Sequence, residues 1–221
     1  MKPVSVLLLV LGAMLAGVAH AGDSLEPRKA YRKADQAFAR AAVLQRSDLP
    51  GWRVQAVEGT GTNDLRCGRV YAPNLSDLTV TGQAQSSFAQ GVSSFALSGA
   101  GLFASAAQAA KAWKRVITPG LVKCLRMSFE ASVRNSSSGL EVRTLYAGPL
   151  ALPRVAERTA AFRLSVEVKV NGQAVRSYFD VVLLGRGRIS AELGFVSLQR
   201  PFPPAFEREL ARSVASRMRG R

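Results

Sequence analysis

The stretch Phe162-Arg163-Leu164-Ser165-Val166-Glu167-Val168-Lys169-Val170-Asn171-Gly172-Gln173-Ala174-Val175-Arg176-Ser177-Tyr178-Phe179-Asp180 decides how the C-terminal half is built. Apolar Phe162, Leu164, Val166, Val168 and Val170 alternate with Arg163, Ser165, Glu167 and Lys169, the period-two pattern of a strand with one apolar face. Asn171-Gly172 is the preferred pair for a type I′ hairpin turn, because both central residues need positive φ. A two-residue turn there sets Val168 opposite Val175, Leu164 opposite Phe179 and Phe162 opposite Val181. On the second face it sets Glu167 against Arg176 and Arg163 against Asp180, so opposite charges meet twice. Both ion pairs are expected on a solvated face, where each contributes about 0–1 kcal/mol.

Working outward, Gly185-Arg186-Gly187 leads into a third alternating run, Arg188 to Leu198. A three-residue loop with left-handed Gly187 pairs Leu183 with Ile189, Val181 with Ala191 and Phe179 with Leu193. That register also brings Asp180 opposite Glu192. The chain then closes with a helix from about Pro204, striped by Phe206, Leu210, Val214 and Met218. Upstream, Ala30, Ala34, Phe38, Ala41, Ala42 and Leu44 fall on helical spacing between Lys29 and Gln45. Pro50-Gly51 fits the centre of a type II turn before a strand from Trp52 to Glu58. Gln83 to Gln90 and Val92 to Leu97 read as a hairpin around Gly91. Ser105 is placed to cap a helix with Ala106, Ala109, Ala110, Trp113, Val116 and Ile117 on one face. Pro119 opens another helix, carrying Leu121, Cys124, Leu125 and Phe129. Together these elements predict an α+β fold: an antiparallel sheet ending in a C-terminal three-stranded meander, with packed helices. Gly59-x-Gly61 has Asp64 where a dinucleotide fingerprint needs its third glycine.

The chain has 221 residues, 48% hydrophobic and 20% charged, the profile of a folded protein rather than a disordered one. Lys2, the apolar run Val4 to Val18 and Ala19-His20-Ala21 form the charged start, core and cleavage site of a signal peptide over residues 1–21. Residues 22–221 are then expected to be a single secreted or extracytoplasmic α+β domain. No cysteine stands at the cleavage site, so the precursor does not read as a lipoprotein. His20 is the only histidine and is expected to be lost with the leader, which would rule out most nucleophile–histidine catalysis and every histidine-ligated metal site. No cofactor-binding or metal-binding pattern remains. The two cysteines, Cys67 and Cys124, are expected to pair in an oxidising compartment, since a reactive thiol would lack a base.

Several of these segments carry a family resemblance. Asp48-Leu49-Pro50-Gly51-Trp52 leads into a strand, and an Ala-rich helix bears Trp113. Thr118-Pro119-Gly120-Leu121 is followed by Cys124 one turn later, and Gly185-Arg186-Gly187-Arg188 precedes the last helix. The order resembles secreted actinobacterial sensor-like domains, including the extracellular sensor domain of mycobacterial receptor Ser/Thr kinases of the PknH type. The resemblance runs from about Asp48 to Arg221 and implies an antiparallel sheet with helices, a disulfide, and a cleft that binds a ligand. The chain has one cysteine pair where that sensor has two, and it carries no kinase domain.

Two function classes follow. The first is a non-catalytic binding module, either a sensor-like binder of a small ligand or an envelope-associated basic protein. The alternative is a carboxylate-dependent hydrolase, for which Asp180 and Glu192 are the candidate pair, although an Arg163–Asp180–Glu cluster reads more simply as structural. Trp52 and Trp113 read as core side chains rather than stacking platforms. Thirty Lys and Arg against fifteen Asp and Glu give a net charge of +15. An exported chain with that charge meets anionic envelope polymers and lipid headgroups rather than nucleic acid. On the last helix Arg208 and Arg212 are offset by two residues from the apolar stripe and so face away from it. Arg219 and Arg221 extend the row, while Arg217 lies nearer the buried edge.

Overall fold

The computed structural model describes residues 25–56, 67–136, 141–170 and 173–219, with the backbone alone for 132–136 and 170. The leader, Gly59-x-Gly61, the Asn171-Gly172 turn and Arg221 lie outside the described residues. One eight-stranded, mostly antiparallel sheet runs in the order β1-β3-β4-β8-β7-β6-β5, with β2 also pairing to β3. The strands are β1 (Arg28–Lys29), β2 (Arg53–Gln55), β3 (Thr79–Gln90), β4 (Ser94–Phe103), β5 (Glu141–Pro149), β6 (Arg158–Val170), β7 (Gln173–Arg186) and β8 (Ile189–Leu198). Among the described residues four α-helices pack with it: α1 (Lys33–Ala42), α2 (Ala106–Val116), α3 (Pro119–Ser136) and α4 (Pro204–Arg217). The fold is therefore α+β, and the hairpin read from sequence is one part of a much wider sheet.

Strands β6 and β7 pair as the Asn171-Gly172 turn requires: Val168 with Val175, Leu164 with Phe179, Phe162 with Val181, Glu167 with Arg176 and Arg163 with Asp180. The expected β7–β8 register is corrected. Arg186 pairs with Ile189 across a two-residue connection, Gly187-Arg188, so Val181 faces Gly194 and Leu183 faces Glu192. Gly187 is left-handed as expected, with φ of 49°. The observed register gathers Ile189, Ala191, Leu193 and Phe195 with Val182 and Leu184 in one buried cluster. It also puts Arg188 in the turn, where its guanidinium reaches Asp35 on α1. The expected first helix is shortened as well. Arg28, Ala30 and Arg32 donate backbone bonds to Leu78, Val80 and Thr81, so this segment runs beside β3 and the helix begins only at Lys33.

Successive side chains of a strand point to opposite faces, and here the two faces are treated differently. On one face, α1 and α4 seal a core that includes Leu44, Leu102, Leu184, Leu193 and Phe195, each at most 1% exposed. Trp52, Phe202 and Phe206 close its end, with the Phe202 and Phe206 rings stacked at 5.3 Å. Trp52 is thus the core side chain its position predicts. Three arginine–aspartate pairs reinforce this side, two of them tying a helix and one joining β6 to β7. Arg188 clasps Asp35, Arg217 of α4 reaches Asp48 at 2.7 Å and the Val43 carbonyl at 3.1 Å, and Arg163 grips Asp180 through two bonds of 2.7 and 2.6 Å. Bidentate geometry is the arrangement in which a guanidinium offsets the desolvation of a buried carboxylate best. The bonds from Arg188 hold the Asp35 carboxyl at about 2.

The Arg163–Asp180 pair is not solvated, which corrects the sequence reading. Helix α4 covers that face, and Asp180 is 2% exposed. The helix adds a second carboxyl, Glu207, 1% exposed and 3.6 Å from Arg163 Nη2. One guanidinium cannot neutralise two buried carboxylates, so the cheaper state keeps a proton between them. Burial first, then the hydrogen bond and negative charge of Asp180, push Glu207 up to about 9. The folded chain therefore binds this proton more tightly than the unfolded chain does. Stability from Glu207 is full below the ordinary carboxyl range and is lost as pH rises from about 4.5 to about 9. Glu207→Gln, a neutral isostere, should flatten that decline in urea unfolding followed across this range. A variant whose midpoint falls with pH as steeply as the parent's would contradict the protonated pair.

Candidate functional site

The opposite face of the sheet is covered only in part by the described residues: Phe162 and Leu183 pack under Tyr71, Leu121 and Cys124, while other positions are left uncovered by them. Its side chains can be read as rows from the strand registers, in the order β6, β7, β8, β4, β3. One row is Arg158, Gly185, Ser190, Gly101 and Gln83. The next is Ala160, Leu183, Glu192, Gly99 and Gln85, and the third is Phe162, Val181, Gly194, Leu97 and Ser87. A strand in the middle of a sheet covered on both faces should carry apolar side chains on both. The first two rows instead place glycine, serine and glutamate on β4 and β8. A Cβ built at Gly99 or Gly101 meets none of the described residues within 4 Å. Burial follows the same logic: Ala96, Ser98, Ala100 and Leu102 of β4 are buried, while Leu97, Gly99 and Gly101 between them are half-open. The result is a trough with a polar floor.

Its walls are α2, α3 and the segment 67–71. Ser105 caps α2, its hydroxyl accepting from the Gln108 amide at 3.2 Å. Asp77 holds the helix from the side, accepting from Lys111 at 2.6 Å and Arg115 at 2.5 Å. Ala109 and Ala112 bury the helix against Val80 and Phe103. Helix α3 packs through Phe129 on Leu164, Val166 and Val168. The expected disulfide joins Cys67 to Cys124 with Cα atoms 5.5 Å apart, and it fastens the segment carrying Tyr71 to α3. The approach is close: a Cβ at Gly120 would stand 2.4 Å from the Val70 carbonyl oxygen. Tyr71 donates to the Val116 carbonyl at 3.2 Å, which ties the segment to α2 as well. Burial, with the charge of Glu192 added, raises the Tyr71 hydroxyl to about 12.

Glu192 stands in the second row of this face, and desolvation by the surrounding protein pushes its carboxyl up. Asp180 lies on the sealed face, so the two candidate carboxylates are on opposite sides of the sheet. Strand parity separates them, because Glu192 pairs with Leu183 and Asp180 with Phe195. The carboxyl that does accompany Asp180 is Glu207.

At one end of the floor lies an open cavity of about 380 Å3, lined by Trp113, Leu152, Arg154, Glu157, Arg158 and Thr159. Trp113, expected in the core, is half-buried and forms part of its wall. The Arg158 guanidinium lies 5.8 Å from the Trp113 ring centroid. It rests over Gly185, where a Cβ would be 2.6 Å from Nε, so a larger residue there would push the guanidinium aside. At the α3 side the third row passes into a small apolar slot of about 110 Å3 between Leu125, Phe129, Phe162 and Val181.

Of the proposed basic row on α4, Arg212 and Arg219 are exposed and Arg208 is half-exposed. Arg217 is turned inward to Asp48, as its place at the edge of the stripe predicts. Among the described residues no cluster of His, Cys, Asp and Glu is arranged to hold a metal ion, and no helix is long and apolar enough to cross a membrane. No family model matches the chain, and no curated protein matches it.

Proposed function

We propose that the protein is an exported, non-catalytic binding module that takes a small ligand into the trough. One observation carries this reading: the two central strands present Gly99, Gly101, Ser190 and Glu192 on a face where a layered fold would bury apolar side chains. Glycine in a strand interior weakens the sheet, and it commonly marks a place where something else approaches the backbone. A concave site with apolar walls and a few placed polar groups is the usual form of a small-molecule site, and here Trp113, Leu152 and Leu183 stand beside Ser190 and Glu192. The sensor-like resemblance, with its implied cleft, points the same way. The two carboxylates named for a hydrolase face opposite sides of the sheet, which removes the main support for that alternative.

Gly99→Val and Gly101→Val test the proposal without threatening the fold. Each adds a side chain that the described residues leave room for, in a strand conformation that favours β-branched residues. Thermal stability should be unchanged or higher, while metabolites retained by the parent and identified by native mass spectrometry should be lost. Variants that keep the full retained set would exclude the trough as the site.

A second reading concerns how the module is held. Arg212 and Arg219 make no ion pair with a carboxylate among the described residues, in contrast to Arg163, Arg188 and Arg217. We propose that this outer face of α4 associates with an anionic envelope polymer or lipid surface through weak, salt-screened contacts. Retention on anionic vesicles at low salt should fall when Arg208→Glu and Arg212→Glu are combined. Retention that survives both reversals and high salt would rule this surface out.

A further inference from the structure

Among the half-buried arginines, Arg115, Arg163, Arg188 and Arg217 each pair with an aspartate. Arg158, Arg186 and Arg208 have no carboxylate partner among the described residues, and of these only Arg158 lines the cavity. Its Nη2 donates to the Gly187 carbonyl at 2.9 Å, and its Nε is buried without a partner. The neighbouring Arg154 spends Nε on the Ala156 carbonyl at 3.2 Å and Nη2 on the Glu157 carbonyl. Glu157, the one carboxylate among the described residues lining the cavity, accepts from the Gly187 amide at 2.9 Å rather than from either guanidinium. Each arginine therefore retains an Nη1 group with no partner among the described residues, on the wall of one cavity. Trp113 and Leu152 give that cavity its apolar side.

Resting on the trough reading, we infer that this cavity binds the head of a small organic anion. The carboxylate or phosphate oxygens pair with the Nη1 groups of Arg158 and Arg154, and a flat apolar body rests against Trp113 and Leu152. Guanidinium donors suit two-oxygen acceptors, and Arg158 is held in place by its contacts with the Gly187 carbonyl, the Trp113 ring and Gly185. A volume of about 380 Å3 suits a ligand of that size. The rest of such a ligand would continue over Ser190 and Gly101, the next positions in the same row.

The test uses the full secreted protein and four probes: benzoate, phenyl phosphate, benzyl alcohol and inorganic phosphate. Binding is read from the Trp113 indole N–H resonance and by calorimetry. Benzoate or phenyl phosphate should move that resonance at millimolar concentration and benzyl alcohol should not; whichever anion binds more tightly identifies the head group. Binding of inorganic phosphate weaker than that of phenyl phosphate would support the apolar wall. Arg158→Gln and Arg154→Gln should each weaken binding about tenfold, the loss of a charge-assisted bond. Arg154 is exposed, so its variant keeps the test valid if Arg158→Gln unfolds. Equal binding of benzyl alcohol, no response to either aromatic anion, or binding undiminished by both substitutions would overturn the inference. A retained metabolite displaced by Gly99→Val yet indifferent to both arginines would overturn this subsite and leave the trough standing.

Discussion

Alternation along β4, β7 and β8 is the constraint on which the molecule depends. Each residue step sends a side chain to the other face, so one sequence can specify a sealed surface and an open one at once. Ala96, Ala100, Leu102, Ala191, Leu193 and Phe195 belong to the first, and Leu97, Gly99, Gly101, Ser190, Glu192 and Gly194 to the second. The sealed face carries the largest of the hydrophobic clusters, together with the three bidentate arginine–aspartate pairs and the aromatic group around Trp52. Helix α4 can hold a buried carboxyl such as Glu207: the helix has apolar anchors in Leu210, Ala211, Val214 and Ala215, and the carboxyl is kept neutral by a shared proton.

The open face is stabilised from its margins. The disulfide, the cap of α2 and the Asp77 pairs fix the walls without filling the space between them. Glycine serves two different purposes there. At Gly120 and Gly185 its lack of a Cβ lets a carbonyl and a guanidinium come close. At Gly99 and Gly101 nothing described takes up the room, and the floor stays low. That difference separates glycines needed for packing from glycines that shape a site.

Much of the scaffold was legible in the sequence. Asn171-Gly172 with its flanking alternation specified the β6–β7 register residue by residue, and the expectation of an oxidising compartment pointed to the Cys67–Cys124 bond. The β7–β8 register was not legible, because Phe179, Val181, Val182, Leu183 and Leu184 make β7 apolar at both parities. Either face could then have been taken for the core. The same ambiguity joined Asp180 to Glu192 and hid Glu207, which only the docking of α4 brings to Asp180. The strand now seen as β4 was cut short at Leu97, since Ser98-Gly99-Ala100-Gly101 reads as a break. Those glycines are the floor of the trough, so the local rule failed at the candidate site itself. A signal was present in the form of glycine at every second position beside a strand carrying one central glutamate. Trp113 was misplaced for a related reason: helical spacing places it on the packed face, but its indole meets a guanidinium and a cavity.

The central claim is that neighbouring residues of β8 face a packed core and an open trough in turn. Solvent paramagnetic relaxation with a neutral soluble gadolinium chelate measures this directly, residue by residue. The account predicts strong broadening of side-chain protons of Ser190 and Glu192, with those of Ala191 and Leu193 left sharp. Uniform protection along Ser190 to Leu193 would mean that the trough is filled, and would contradict the account.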